Sequence, residues 1–190
     1  MTRIAIVIGT TRPGRKAEVV ANWVLEIAQR RTDVEFEVVD IAEYHLPLLD
    51  EPIPPSAGRY ENSHTKAWAA KVATFDGFVF VTPEYNHSAP ASLKNALDYL
   101  YAEWNNKAVG FVSYGSAGGV RAVEHLRGIA AELQMADVRA QVMLMLTTDF
   151  ENYTKFVPDP KKATAVERML SQVVSWSRAL EPVRADPPPS

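Results

Sequence analysis

A doubly wound α/β domain, with five parallel strands in the order 2-1-3-4-5 and helices on both faces, is the fold class the sequence predicts. Three observations lead there. Short β-branched runs alternate with longer segments of helical period along the chain. Three of those runs, IAIVI, FVFV and VGFV, are almost continuously apolar, as strands covered on both faces must be. At 190 residues, 47% hydrophobic and 23% charged, the chain has the size and composition of one globular domain able to bury about 70% of its unfolded surface.

The strands are read at Arg3–Ile8, Glu35–Asp40, Gly77–Thr82, Ala108–Ser113 and Val138–Leu146. Between them the period changes from 2 to 3.6. Val20, Trp23, Val24, Ile27 and Ala28 form the apolar stripe of a first helix, and Trp68, Val72 and Phe75 that of a second. Leu93, Ala96, Leu97, Leu100 and Tyr101 define a third, Val123, Leu126, Ala130 and Leu133 a fourth, and Val166, Leu170, Val173 and Val174 a fifth. Pro90 and Pro160 suit first-turn positions, where a missing N–H costs nothing. Residues 44–60 hold four prolines and read as a long surface loop. The domain is expected over 1–181, with the proline-rich end, 182–190, a disordered tail.

Composition removes several functions. The chain has no cysteine, which excludes disulfides, thiolate catalysis and cysteine-ligated metal sites. Its net charge of −3 comes from interspersed charges, without the basic footprint that nucleic acid requires. Pairs such as Arg30-Arg31 read as solvated helix ends. The apolar run Ile4–Ile8 is too short for a signal peptide or a membrane span. A soluble, cytoplasmic protein with no nucleic-acid or membrane partner is expected.

In a sheet of this order the ligand sits beyond the carboxyl ends of strands 1 and 3, where the strand order reverses. Three loops meet there. GTTRPGRKAE, after strand 1, offers the hydroxyls of Thr10 and Thr11, the cations Arg12, Arg15 and Lys16, and the N–H groups at the start of the helix that follows. That is an anion socket. It is neither a dinucleotide fingerprint, having only Gly9 and Gly14, nor a P-loop, lacking Gly-Lys followed by Ser or Thr. Asp40, ending strand 2, could mimic a ribose-binding acid, but the glycines that accompany one are missing.

TPEYNHSAPASLKNALDYL (82–100) ends strand 3 in the polar loop Pro83, Glu84, Tyr85, Asn86. SYGSAGGVRAVEHLR follows strand 4, where Gly115, Gly118 and Gly119 allow backbone to approach a flat ligand and Tyr114 can lie against it. A serine elbow at Ser116 is disfavoured because Tyr114 replaces the leading glycine of G-x-S-x-G. Glu61-x-x-His64 and Glu84-x-x-His87 have the spacing of carboxylate–histidine metal pairs but do not lie on bundle helices. An anion socket, a polar loop and a glycine–aromatic loop around one crevice suit a flat phosphorylated cofactor. Flavin mononucleotide (FMN) matches all three, although the layout leaves FAD or another phosphorylated ligand open.

The stretch 82–100 closely resembles the P-E-Y-N-x-S-x-P-x-x-L-K-N-A-[ILM]-D signature of the NADPH-dependent FMN reductase family. GTTRPGR resembles that family's phosphate loop, and YGSAGGVRAVEHLR its G-G-x-R-A-x-x-x-L-R segment. The resemblance spans Ile4 to Leu146. It implies a flavodoxin-like fold, non-covalent FMN, NADPH or NADH as reductant, a small-molecule electron acceptor and a homodimer or dimer of dimers. It implies further that Thr10 and Arg12 hold the phosphate, that Pro83, Glu84, Tyr85 and Asn86 line the isoalloxazine, and that Ser116, Gly118 and Gly119 flank its edge. Arg15, Lys16 and Ala17 stand where many members carry Ser and Asn. The flavin carries the hydride, so no catalytic acid or base and no metal is expected. Tyr99, Tyr101 and Trp104, near the end of the third helix, are read either as a dimer surface or as core.

Overall fold

The computed structural model describes residues 1–186. Five parallel strands form one sheet: β1 (Arg3–Ile8), β2 (Glu35–Asp40), β3 (Gly77–Pro83), β4 (Ala108–Gly115) and β5 (Ala136–Met145), ordered β2-β1-β3-β4-β5. This is the expected order, with β3 and β4 running one and two residues further than the apolar runs suggest. A two-stranded antiparallel hairpin, β6 (Phe150–Glu151) and β7 (Lys155–Phe156), follows β5 and was not foreseen.

Strand alternation divides the core into two layers. Ile4, Ile6 and Ile8 of β1, with Val79, Val81, Val112 and Tyr114, face α1 (Ala17–Ala28) and α5 (Lys161–Ala179). Ala5 and Val7, with Phe78, Phe80 and Phe111, face α2 (Ser63–Ala73), α3 (Ala91–Asp98) and α4 (Val120–Glu132). The second layer is the aromatic one. Trp104 packs edge-on to Phe78 at 4.9 Å and to Trp68 at 5.9 Å between ring centres.

Both indoles also end a helix. Trp68 Nε1 donates to the Ala96 carbonyl (2.8 Å) and Trp104 Nε1 to that of Leu97 (3.2 Å). Carbonyls at a helix end need such donors, and α3 accordingly stops at Asp98, short of the predicted Leu100 and Tyr101. Tyr99 and Trp104 are fully buried, so of the two readings of this segment they belong to the core.

Other expectations shift locally. Pro90 and Pro160 sit just before α3 and α5, at the capping position, not in the first turn. A 3-10 turn, Ile41–Tyr44, leads into the proline loop, and a second, Pro55–Ala57, lies within it. It is also tied down. Asn95 Nδ2 donates to the Pro47 carbonyl (2.6 Å), Leu49 N donates to Asn95 Oδ1 (2.9 Å), and the Asp50 carboxylate meets Tyr99 Oη and His64 Nε2, each at 3.0 Å.

The first part of the expected tail is ordered, because Glu181–Ala185 forms a short helix, α6. Arg184 anchors it through Asp76 Oδ1 (2.9 Å) and the Ser177 carbonyl (2.9 Å). Residues 187–190 of that expected tail lie outside the described residues.

The turn from β4 into α4 depends on Gly119. Its φ is +72°, and an added Cβ would lie 2.7 Å from Ser113 Cβ and 2.9 Å from Tyr114 N. Gly14 has a similar φ, +70°, but open space around it. Gly14→Ala should therefore cost only the left-handed backbone penalty, about 1 kcal/mol, and Gly119→Ala should cost about 3 kcal/mol or more. Urea unfolding of the two variants measures the difference; equal costs would show that the β4–α4 turn relaxes freely.

Candidate active site

The strand ends are level, so the loops that follow them meet. Gly9 N donates to the Val81 carbonyl (2.9 Å), Glu84 N to that of Tyr114 (3.1 Å) and Leu146 N to that of Gly115 (3.1 Å). These bonds continue the ladder past the strands and fix the first residue of each loop. Between the loops lies a crevice of about 180 Å³, lined by Arg12, Gly14, Arg15, Lys16, Pro83, Glu84, Tyr85, Tyr114, Gly115 and Leu146.

Eight of those ten are residues the sequence singled out. Gly14 and Leu146 are additions; Leu146 is the residue after β5, and the carboxyl-end rule applied to that strand would have found it. Other expected residues lie elsewhere. Thr11 lines a separate cavity of about 490 Å³ with Ile41, Ala42, His45, Leu46, Ser92, Asn95 and Ala96. Asn86 and Ser116 are exposed, and Ala17, Gly118 and Gly119 are buried behind the crevice wall.

Thr10 is 1% exposed and reaches the crevice through Tyr85, its Oγ1 lying 3.0 Å from the phenol oxygen. The Arg12 guanidinium stands 6.0 Å from the Tyr85 ring centre, within range of a cation–π contact. Loop one and the β3 loop are thereby joined.

Arg15 does not extend freely toward a ligand. Its Nη1 donates to the Thr10 carbonyl (2.7 Å), its Nε to Glu18 (2.9 Å) and its Nη2 to Asp40. Burial opposes the charge of this guanidinium, and Glu18 and Asp40 outweigh that effect and raise its pKa. Asp40 also accepts from Ala42 N (2.9 Å) and caps the turn after β2. The acid at the end of β2 is thus a structural partner of the loop, where the sequence left a ribose contact conceivable.

Glu84 has the same kind of role. Its side chain is 5% exposed, and its Oε1 accepts from Arg121 Nε (2.6 Å) and Nη2, while Oε2 accepts from Arg121 N (3.1 Å). Burial alone would raise its pKa, but the hydrogen bonds and charge of Arg121 prevail and hold it below the ordinary value. Glu84 therefore secures the N-terminus of α4 to the β3 loop, and its carboxylate is satisfied before any ligand arrives.

The rest of the β3 loop is a two-residue hairpin. Tyr85 and Ser88 exchange backbone hydrogen bonds (3.0 and 3.1 Å), with Asn86 and His87 at φ +48° and +75° between them. Such a turn needs both central residues left-handed. His125 bonds through Nδ1 to Ser88 Oγ at 2.9 Å, so the histidine nearest in sequence to Ser116 is engaged with a different serine.

Tyr114 departs furthest from expectation. It is 5% exposed, in the core layer shared with α1, and its ring lies 6.2 Å from that of Phe150. So little of it is exposed that it cannot lie flat on a ligand, although it belongs to the crevice lining.

The donors of this site suit a phosphorylated anion. Arg12 has no acidic partner among the described residues, Lys16 lies beside it, and the amides of the first turn of α1 open nearby. The carboxylates in reach, Glu84, Asp40 and Glu18, are already bound to Arg121 or Arg15. Free donors and committed acids are the pattern that the phosphate end of a flavin nucleotide requires.

Fold and crevice together define a flavodoxin-like α/β domain with a cationic crevice at the strand ends. The chain belongs to the NADPH-dependent FMN reductase family, whose model matches residues 2–149. As a member of that family it is an enzyme that works with FMN and NAD(P)H. It is 42% identical over 160 residues to an NAD(P)H-dependent FMN reductase of Schizosaccharomyces pombe, covering 83% of this chain and 79% of that one. It is 33% identical over 144 residues to a 2-hydroxy-1,4-benzoquinone reductase of a Burkholderia species, covering 70% and 72%. The flavoenzyme NAD(P)H:acceptor oxidoreductase FerB of Paracoccus denitrificans shares the fold, with a TM-score of 0.69 at 18% identity over 94% of this chain and 98% of that one.

The Glu84–Arg121 tie yields a pH prediction. A carboxyl whose folded pKa is depressed stabilises the fold fully above its unfolded pKa, and that contribution is lost as pH falls through the folded value. Glu84→Gln should lower unfolding free energy by about 2 kcal/mol near pH 7. The gap to the unsubstituted protein should narrow as pH falls below 4.5, the ordinary value for this group. Urea midpoints of both proteins across that range measure it, and a gap independent of pH would contradict the assignment.

Proposed function

We propose that this protein reduces small quinone-like acceptors with electrons from NAD(P)H, passed through FMN held in the crevice between the β1, β3 and β4 loops. The observation that carries this reading is the uncommitted Arg12 beside the N-terminus of α1, facing a polar turn whose own acid is neutralised. FMN supplies the hydride-carrying ring, which no side chain can replace. The protein's part is to bind and to orient. Arg12 and Lys16 take the phosphate while Thr10 holds the Tyr85 hydroxyl, the hairpin Tyr85–Ser88 presents backbone at the ring edge, and Gly115 lets the ring approach β4. The benzoquinone reductase among its relatives supports a quinone as acceptor.

Two measurements test this reading. Protein reconstituted with FMN, desalted and mixed with NADPH without oxygen should retain a yellow flavin that bleaches within seconds and recovers when a benzoquinone is added. A retained flavin that stays oxidised with both NADPH and NADH would replace the reductase by an electron carrier. Arg12→Glu should weaken FMN binding by at least about tenfold, since it exchanges a charged hydrogen bond to phosphate for repulsion. Titration of flavin fluorescence reads this, and unchanged affinity would move the phosphate elsewhere.

The working unit in this reading is a homodimer. Leu48 and Leu49, 83% and 42% exposed, are held rigidly beside α3 by Asn95, and a second copy would cover them. Leu48→Asp should shift the sedimentation coefficient from dimer toward monomer; a monomeric unsubstituted protein would refute the dimer.

A further inference from the structure

The hydroxyl of Tyr114 is a donor without a side-chain hydrogen bond among the described residues. Strand alternation places Val112 and Tyr114 on the α1 side of β4, and the Tyr114 ring is fixed there against Phe150. The residue is 5% exposed, yet it lines the crevice. Lys16 and Ala17, where the first turn of α1 starts, lie near its hydroxyl, as do Arg15 and Tyr85. That turn has no side-chain cap of its own, and first-turn amides need an acceptor.

A phenol oxygen can accept from an amide and still donate its single proton. The neighbouring phenol of Tyr85 is already paired with Thr10 Oγ1, and the charged groups around Tyr114 cannot receive that proton. Arg12, Arg15, Lys16 and the α1 amides are all donors, and Glu18, Asp40 and Glu84 are bound to Arg15 or Arg121. The missing acceptor has to come with the ligand, and at the positive end of a helix dipole it should be anionic.

From this geometry we infer that Tyr114 is a phosphate ligand, its O–H donating to a non-bridging phosphate oxygen of the bound flavin nucleotide. It thereby distinguishes FMN from riboflavin. The role differs from that of a ring-stacking aromatic and rests on FMN occupying the crevice, not on turnover with NAD(P)H. Removing the hydroxyl removes one charge-assisted hydrogen bond made only to the phosphorylated ligand.

Tyr114→Phe keeps the ring and its packing, so the variant tests the hydroxyl alone. Affinities for FMN and riboflavin are read from the quenching of flavin fluorescence, without any reductant. FMN should bind about tenfold more weakly, and riboflavin should bind as before. The phosphorus resonance of bound FMN should move, while the visible absorption band of the flavin stays in place. The inference is overturned if FMN affinity and the phosphorus resonance are both unchanged, or if FMN and riboflavin weaken by the same factor. Where riboflavin binds neither protein measurably, the phosphorus resonance decides.

Discussion

Everything around the crevice depends on the buried carboxylate of Glu84. It stands at the end of β3, where an unpaired charge would be costly, and it receives three donors from Arg121. One consequence is mechanical, because the β3 loop and the start of α4 cannot separate without breaking those bonds. The other is electrostatic. An uncompensated acid here would repel any phosphorylated ligand, and Arg121 removes that repulsion from behind the crevice wall. Arg15 does the same for Asp40 and Glu18 on the opposite side. Three ion pairs through two arginines hold these acids, and the cations Arg12 and Lys16 tip the remaining field positive.

Such pairing explains which parts of the site were legible in the sequence. The sheet could be read directly, since strands buried on both faces must be continuously apolar and helices between them must show a 3.6 period. The loops could be placed as well, because strand order dictates where a crevice opens. The partner of each charged side chain was not visible. Arg15 and Asp40 are 25 residues apart, and Glu84 and Arg121 are 37 apart. No local pattern encodes an ion pair across such a distance. Arg15 therefore looked like a free cation, whereas in the structure it lines the crevice with its donors bound to Thr10, Glu18 and Asp40.

Tyr114 is a different case, because the signal was present. The alternation that puts Ile8 and Val81 toward α1 applies equally to β4, where Val112 and Tyr114 share that side. A tyrosine there brings its hydroxyl near the start of α1 and cannot lie across a flat ring. Thr11 and the ends of α3 were less accessible to such reasoning. Which of two adjacent threonines faces the crevice follows from the backbone path of one turn. Where α3 stops follows from two distant indoles that take its last carbonyls.

The two ends of the crevice are built by different means, and this bears on how one frame can serve several acceptors. The α1 end is crowded with charge and with side-chain donors fixed by packing, so it discriminates chemically. The other wall is a two-residue hairpin whose left-handed Asn86 and His87 leave their side chains exposed. Its contribution to a ligand is backbone, and backbone reads shape and hydrogen-bonding edge more than identity. A site so divided can hold a nucleotide tightly while setting few conditions on the molecule that meets it from solvent. Selectivity for that molecule then has to come from whatever closes over the open face.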